Sequence, residues 1–430
     1  MTDPRYLAVK LLDKTFSSGS YSNLQLDSGL KASDLDERGR KLCSALYYGV
    51  IERRLTLDHI IGGLSSRPIE KLDGIILNIL RCGVYQIMYM DSVPDNAAVN
   101  ESVALAKKFR KTSASGMVNA VLRNFIRGGR ELKLPKDGVK ALSVKYSAPV
   151  ELVKSLADDY GREAAENFLA ASLEKNVTYL RLNTIRCTEE EFLSALGGIK
   201  AEKLMDNCFM AESGDLTATE AFKKGWFHVQ GLASQLCCMS LAPTEQDRVL
   251  DICAAPGGKT FTMAEIMGGK GEIYAFDLHE KRAELIRKGA ERLGLTNIKA
   301  AAGDATKFNP ELPKFTKILC DVPCSGLGVI GSKPEIKYKN ISDFAGLPDI
   351  QYKIVCNALN YLGSGGTLVY STCTVRKAEN EAVCDRLLRD HSELEAVELP
   401  ELMGEKFGTM ATLMPPKFGS GFFIAKFRKK

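Results

Sequence analysis

Through the first 130 positions, apolar residues recur at spacings of three and four. The clearest run is Leu72-Asp-Gly-Ile-Ile-Leu-Asn-Ile-Leu80, continued by Val84, Tyr85, Ile87 and Met88. This is the pattern of a helix with one buried face. Similar stripes cover 5–16, 40–52, 96–109 and 116–126. Breaks fall at Gly62-Gly63 and Ser92-Val-Pro-Asp95, where Asp95 or Asn96 can cap the next helix. A helical bundle is expected over 1–130. Between 131 and 240 the periods mix, with helix-like stretches at 149–157, 161–173 and 188–196 and strand-like ones at Val177–Leu182 and 226–230. That mixture predicts a small α+β domain. From residue 247, apolar runs at Val249–Cys253, Glu272–Phe276, Lys317–Asp321 and Gly366–Ser371 alternate with helical patterns at 259–267, 279–293, 348–362 and 376–390. Alternation of this kind marks a parallel sheet covered by helices on both faces. The expectation is a multidomain α and α/β chain: helical over 1–130, α+β over 131–240, and a Rossmann-like domain over 241–430.

Composition narrows the class. A chain of 430 residues exceeds one ordinary core, and 45% hydrophobic with 26% charged residues describes a globular protein. No apolar run approaches the roughly 20 residues that span a bilayer, and Met1–Lys10 lacks the pattern of a signal peptide. The expected location is the cytoplasm, with no membrane partner and a monomer as the default state. The 12 cysteines are then expected as thiols. Neither a Cys-x-x-Cys nor a histidine at metal-ligand spacing is present, so no metal is expected. The net charge of +5 is unevenly placed. Residues 1–130 hold 19 Lys/Arg against 13 Asp/Glu, and the stretch from Lys107 to Arg130 holds seven basic residues and no acid. Such a surface attracts a polyanion by counterion release.

The first α/β strand runs into Asp251-Ile-Cys253-Ala254-Ala255-Pro256-Gly257-Gly258-Lys259-Thr260, a tight turn that lets backbone approach a ligand closely. Asp277 closes the second strand, where a carboxylate can accept both ribose hydroxyls of a nucleoside. Asp304 follows the third strand, within reach of an adenine amino group. A phosphate-binding P-loop would need glycine where Cys253 stands, and the Gly-x-Gly-x-x-Gly of dinucleotide folds is absent. A nucleoside without a phosphate fits better. The fourth strand delivers Cys-Asp321-Val-Pro-Cys324-Ser-Gly and the fifth Tyr-Ser-Thr-Cys373-Thr. In an open parallel sheet, ligands bind beyond these carboxyl ends. Two thiols and an acid there suit methylation of a pyrimidine carbon. One thiol adds at C6 to activate C5, a carboxyl group at N3 stabilises the developing charge, and a second group assists proton removal and release. Cys43, Cys82, Cys320, Cys356 and Cys384 read as small buried apolar residues.

These motifs, together with Arg181-Leu-Asn-Thr184, Val229-Gln-Gly-Leu-Ala-Ser-Gln235, Lys333-Pro-Glu-Ile-Lys337 and Gly419-Ser-Gly-Phe-Phe-Ile-Ala-Lys426, closely resemble the RNA cytosine-C5 methyltransferases of the RsmB/NOP/Sun family over roughly 177–428. The resemblance implies a class I methyltransferase domain using S-adenosylmethionine and no metal. It implies a cofactor site at Cys253, Ala254, Ala255, Pro256, Gly257, Gly258, Lys259, Asp277, Asp304 and Asp321. It also orders the cysteines: Cys373 as nucleophile, Cys324 assisting release, Asp321 completing the catalytic set. Leu80-Arg-Cys-Gly-Val-Tyr-Gln-Ile87, Val99-Asn-Glu-Ser-Val-Ala-Leu-Ala-Lys107 and Val118-Asn-Ala-Val-Leu-Arg-Asn124 resemble a NusB-type RNA-binding domain. That fusion is the arrangement of family members acting on bacterial 16S ribosomal RNA, which is the implied partner. Transfer RNA as substrate, and a non-catalytic RNA-binding or antitermination factor, are the alternatives. Two positions depart from the family pattern: Val322 stands for a commoner Ala, and Tyr338 for a commoner Trp with a bearing on base stacking.

Overall fold

The computed structural model describes residues 2–18, 22–174, 177–212 and 214–430. It divides into two compact units, Met1–Leu173 with Ser332–Lys339, and Glu174–Gly331 with Asn340–Lys430.

In the first unit the periodic stripes become the helices Pro4–Ser18, Glu37–Glu52, Gly74–Tyr89, Asp95–Lys108 and Ser115–Arg127. Two more, Ser22–Lys31 and Arg54–Leu64, lie between the expected stripes. Asp36 caps the Glu37 helix by accepting from Gly39 N, and Asp73 caps the Gly74 helix by accepting from Ile75 N and Ile76 N. The Asp95 helix starts on Asp95 itself, after Pro94, so neither Asp95 nor Asn96 is the capping residue. Helix Gly74–Tyr89 is the hub. Its Ile79, Leu80 and Val84 are buried with Leu12, Leu46, Val50, Ile61, Val99, Leu122 and Phe125. Gly83 permits the close approach, since a Cβ there would lie 2.8 Å from Leu122 and 2.9 Å from Ser102.

The boundary expected at residue 130 falls inside this unit. Helices Gly138–Tyr146, Val150–Tyr160 and Arg162–Ala171 belong to it, tied in by Leu55 N to Ser147 Oγ (2.9 Å) and Thr56 Oγ1 to Val144 O (2.6 Å). The motif Lys333–Lys337 also packs here. Lys337 is buried and donates to Glu52 O at 2.7 Å, and burial pulls its ammonium below the usual lysine range. Tyr338 donates to Ile51 O at 2.8 Å, with the Arg54 guanidinium 3.9 Å over its ring. Its ring is therefore committed to helix packing, which corrects the expectation that it bears on base stacking.

The second unit contains, among the described residues, two sheets. The small one is antiparallel, in order β2-β3-β1-β4, from β1 (Thr178–Leu182), β2 (Ala201–Met205), β3 (Cys208–Ala211) and β4 (Phe227–Val229). The large one uses β5 (Arg248–Asp251), β6 (Glu272–Asp277), β7 (Ile298–Ala302), β8 (Phe315–Asp321), β9 (Leu362–Thr372), β10 (Leu394–Ala396), β11 (Met410–Leu413) and β12 (Phe422–Lys429). Its order is β10-β12-β9-β8-β5-β6-β7, with β11 on β12. Strands β7-β6-β5-β8-β9 are mutually parallel, and β12 joins β9 antiparallel. The order reverses direction between β5 and β8, the switch point where open sheets bind ligands. Helices Gly258–Ile266, Glu280–Leu293, Leu347–Leu359 and Glu381–Asp390 connect the strands. The small sheet meets the helix Gly258–Ile266 through a buried polar cluster. Glu265 lies 3.4 Å from Arg181 and 3.3 Å from His228, all three nearly inaccessible.

Candidate active site

Strands β8 and β9 are adjacent in register, with Asp321 opposite Ser371. Each strand ends in a loop carrying a cysteine, Cys324 three residues beyond Asp321 and Cys373 two beyond Ser371, which brings the thiols together. The Sγ atoms of Cys324 and Cys373 are 2.9 Å apart. The hydrogen bond with Cys373, and then burial, hold the Cys324 thiol well above the usual cysteine range. Either sulfur of the pair can be the donor.

The two loops are braced from beneath. Gly328 N donates to Cys373 O (3.0 Å), and Ser325 Oγ pairs with Thr374 Oγ1 (2.8 Å). Glu379, fully buried, accepts from Ser325 N at 2.9 Å, Gln351 Nε2 at 3.1 Å and Arg376 Nη1 at 3.1 Å. Gln351 also donates to Pro323 O. Sequence reading missed Glu379, Gln351 and Ser325 as parts of the site. Their only signal was polarity at positions where a helix face or loop should be apolar.

Asp321 ends β8 with both oxygens engaged, Oδ1 accepting from Ser371 Oγ (2.8 Å) and Oδ2 from Lys259 Nζ (2.7 Å). Burial acts downward on Lys259, but the Asp321 charge outweighs it and raises the ammonium above its usual range. The two form an ion pair in which Asp321 accepts. Lys259, which lies in the glycine turn, reaches the carboxylate beside the cysteines.

The turn itself is built as the glycines suggested. Ala254 N donates to Phe276 O at 2.7 Å, which closes the loop against β6. Gly257 has φ +112°, where a Cβ would sit 2.4 Å from the Phe261 ring. Gly258 opens the following helix, so unpaired amides face the loop. Cys253, Ala255 and Pro256 complete the turn, and burial pushes the Cys253 thiol up. Asp251 lies beneath the turn, fully buried, with Oδ2 accepting from Thr260 Oγ1 at 2.7 Å and Oδ1 unpartnered. Burial lifts its carboxyl to about 7. Asp277 at the end of β6 pairs with Arg282 at 2.9 Å, and Arg282 also donates to Ala255 O. Arg282 is a further residue that sequence reading did not single out. Asp304, just beyond β7, is held by Thr306 N and Oγ1, which lower its carboxyl.

Next to Asp304 is a cavity of about 220 Å³ lined by Ile252, Phe276, Ala305, Phe308 and Leu312, with Asn309 and Asn357 among its few polar walls. An apolar slot with one carboxylate at its rim suits a flat heteroaromatic base. With the glycine turn and the Asp277 carboxylate beside it, the residues present fit a nucleoside ligand. Asp277 and Asp304 stand two and three strands from β8, so the nucleoside residues and the cysteine cluster flank the switch point. Of the cysteines expected to be buried, Cys43, Cys82, Cys320 and Cys384 are, whereas Cys356 is half-buried with Sγ 3.2 Å from His391 Nε2.

The strand order, the antiparallel β12 and the glycine turn define a Rossmann-like methyltransferase domain joined to a NusB-type helical domain. The model of 16S rRNA methyltransferase RsmB/F matches residues 238–428, and that of the NusB family matches 2–127. Over full length the chain is 36% identical to the probable ribosomal RNA small subunit methyltransferase B of Bacillus subtilis, covering 100% of this chain and 99% of that protein. It is 34% identical to the corresponding probable enzyme of Synechocystis, with 100% of each covered. The chain belongs to the ribosomal RNA small subunit methyltransferase B family. Among solved structures, PH0851 shares the fold across 100% of this chain and 99% of its own (TM-score 0.82, 23% identity). A methyltransferase homolog from Pyrococcus horikoshii covers 69% of this chain and 100% of its own (TM-score 0.60, 27% identity). NSun6 from the same organism, solved with SFG, covers 65% and 98% (TM-score 0.59, 25% identity).

Proposed function

We propose that this protein methylates C5 of a cytosine in 16S ribosomal RNA, using S-adenosylmethionine and a covalent link from Cys373 to C6 of the base. The observation that carries this reading is the thiol pair beside the Asp321 carboxylate, at the switch point of a methyltransferase sheet. When bound, S-adenosylmethionine supplies an electrophilic methyl group. The turn Cys253–Gly258 would receive it, Asp277 its ribose hydroxyls, and Asp304 with the neighbouring cavity its adenine.

The protein's own groups divide the remaining work. A flipped cytosine enters between the two loops. Cys373 adds to C6, which raises electron density at C5 so that carbon can take the methyl group. Asp321, fixed by Ser371 and Lys259, meets the N3 edge and stabilises the positive charge of a protonated ring nitrogen. Cys324, protonated and beside the attacking sulfur, serves the second half: it hands its proton to the Cys373 sulfur as the S–C6 bond breaks, and the thiolate left behind takes the C5 proton. The RNA is gripped by the helical domain.

The test uses RNA and the two cysteine variants. Cys373→Ala abolishes both methyl transfer and covalent RNA capture. Cys324→Ala traps an RNA–protein adduct that survives denaturing electrophoresis. Bisulfite mapping of 16S RNA with and without the protein locates the protected cytosine. Normal turnover by Cys324→Ala, or capture by Cys373→Ala, would overturn the assignment of roles.

A further inference from the structure

The closeness of the two strand-end sulfurs has a consequence separate from methyl transfer. At 2.9 Å they are already inside ordinary sulfur–sulfur contact, and a disulfide at about 2.05 Å is less than about 1 Å of travel away. The backbones that carry them are fixed relative to each other by Gly328 N to Cys373 O and by Ser325 to Thr374. Bond formation therefore closes a gap that folding has nearly closed. Both thiols are also reachable. Cys324 and Cys373 are only partly covered, whereas Cys43, Cys82, Cys320 and Cys384 are buried. Of the four partly covered cysteines, Cys253 lies in the glycine turn, Cys356 contacts an imidazole, and Cys324 and Cys373 contact each other.

We propose that Cys324 and Cys373 form a redox-active dithiol that hydrogen peroxide converts into a reversible intramolecular disulfide. The Cys373 sulfur attacks one peroxide oxygen: an S–O bond forms, the O–O bond breaks, and water leaves with the thiol proton. Cys324 then attacks the resulting sulfenic sulfur. The S–S bond forms, the S–O bond breaks, and the hydroxide leaves as a second water with the Cys324 proton. Two thiols are oxidised by two electrons in all, and one peroxide is reduced to two waters. A sulfenic acid with no neighbouring thiol proceeds to the irreversible sulfinic acid. The pair thus spares the nucleophile from irreversible damage while holding it inactive. The accompanying loss of methyl transfer rests on the proposed function; bond formation does not.

Reduced full-length protein is exposed to equimolar hydrogen peroxide, alkylated and digested. The expected result is a peptide pair linked through Cys324 and Cys373, an intact mass lower by two hydrogens, and full recovery of both thiols on addition of dithiothreitol. Methyl transfer should vanish and return in step. In Cys324→Ser the link is lost and Cys373 becomes trappable by dimedone, then progresses to the sulfinic acid. A wild-type protein that accumulates dimedone-reactive Cys373 with no Cys324–Cys373 peptide overturns the proposal. If the linked peptide forms but no methyl transfer is found in the reduced enzyme, the disulfide stands and the function proposed above fails.

Discussion

At the scale of single residues, the site consists of charges placed where burial should make them costly. Asp251 is the clearest case. It is fully buried, with one oxygen on Thr260 and the other unpartnered, and its carboxyl is raised from the usual aspartate range to about 7. Between these two values the folded protein binds more protons than the unfolded chain. Its contribution to stability is therefore greatest at the acid end and falls as pH rises towards 7, levelling off above it. Asp251→Asn removes the titration and keeps an acceptor for Thr260. Comparing denaturation midpoints at pH 5 and pH 8, wild type should lose stability relative to this variant, by at most about 3 kcal/mol. Parallel profiles would show that Asp251 does not titrate in that window. Lys259 is a second case, its ammonium raised by Asp321 at 2.7 Å. Lys259→Met leaves Asp321 with Ser371 alone. If the carboxylate acts on the base, kcat at neutral pH should fall on the order of 100-fold while the amount of folded protein is preserved. An unchanged rate would remove Lys259 from the chemistry.

At the scale of elements, the cysteine loops depend on one close backbone approach. A Cβ on Gly328 would fall 1.9 Å from Gly421 O and 2.8 Å from Cys373 O, so no side chain fits without separating β9's loop from the Cys324 loop. Gly328→Ala should lower kcat on the order of 100-fold, because displacement of reacting groups by about 1 Å has that effect. Its secondary structure by circular dichroism should match wild type; an unaltered kcat would show that the loops tolerate separation. The elements that carry this site were legible because parallel strands buried on both faces read as apolar runs, and the acids, glycines and cysteines at their ends interrupt those runs sharply. The β2–β3 hairpin was not. β2 is only partly buried, with no alternation to betray it, and its turn is only Asp206-Asn207, Asn207 adopting φ 61°. Nor could periodicity say which neighbour a helix packs on. The helices of 150–171 showed their stripes but not that those stripes face the helical unit, and the helix Gly138–Tyr146 was not read at all. Lys337 was hidden for a different reason: lysine is almost never fully buried, so nothing in Lys333–Lys337 announced a packing role. The buried bracing by Glu379 likewise depends on partners distant in sequence.

At the scale of the molecule, the division of labour is written in charge. The surplus of basic residues lies in the helical domain, but part of it is spent locally. Lys108 pairs with Asp3, Lys111 with Asp73, and Arg130 with Asp95, while Arg127 bonds Asn124. Lys107, Arg110 and Arg123 are exposed, and of these Lys107 and Arg110 sit together at the end of the Asp95–Lys108 helix. If this domain grips RNA through phosphates, affinity must fall with salt, and each lost contact must flatten that dependence by about one unit of slope. Lys107→Gln with Arg110→Gln should weaken RNA binding across sequences and reduce the slope of log affinity against log salt by up to about 2. Because these residues lie in the helical unit and the thiols in the other, kcat at saturating RNA should not change. A slope equal to wild type would move RNA binding away from this helix end, and a fall in kcat with binding intact would show that the helical domain acts on the chemistry and not only on capture.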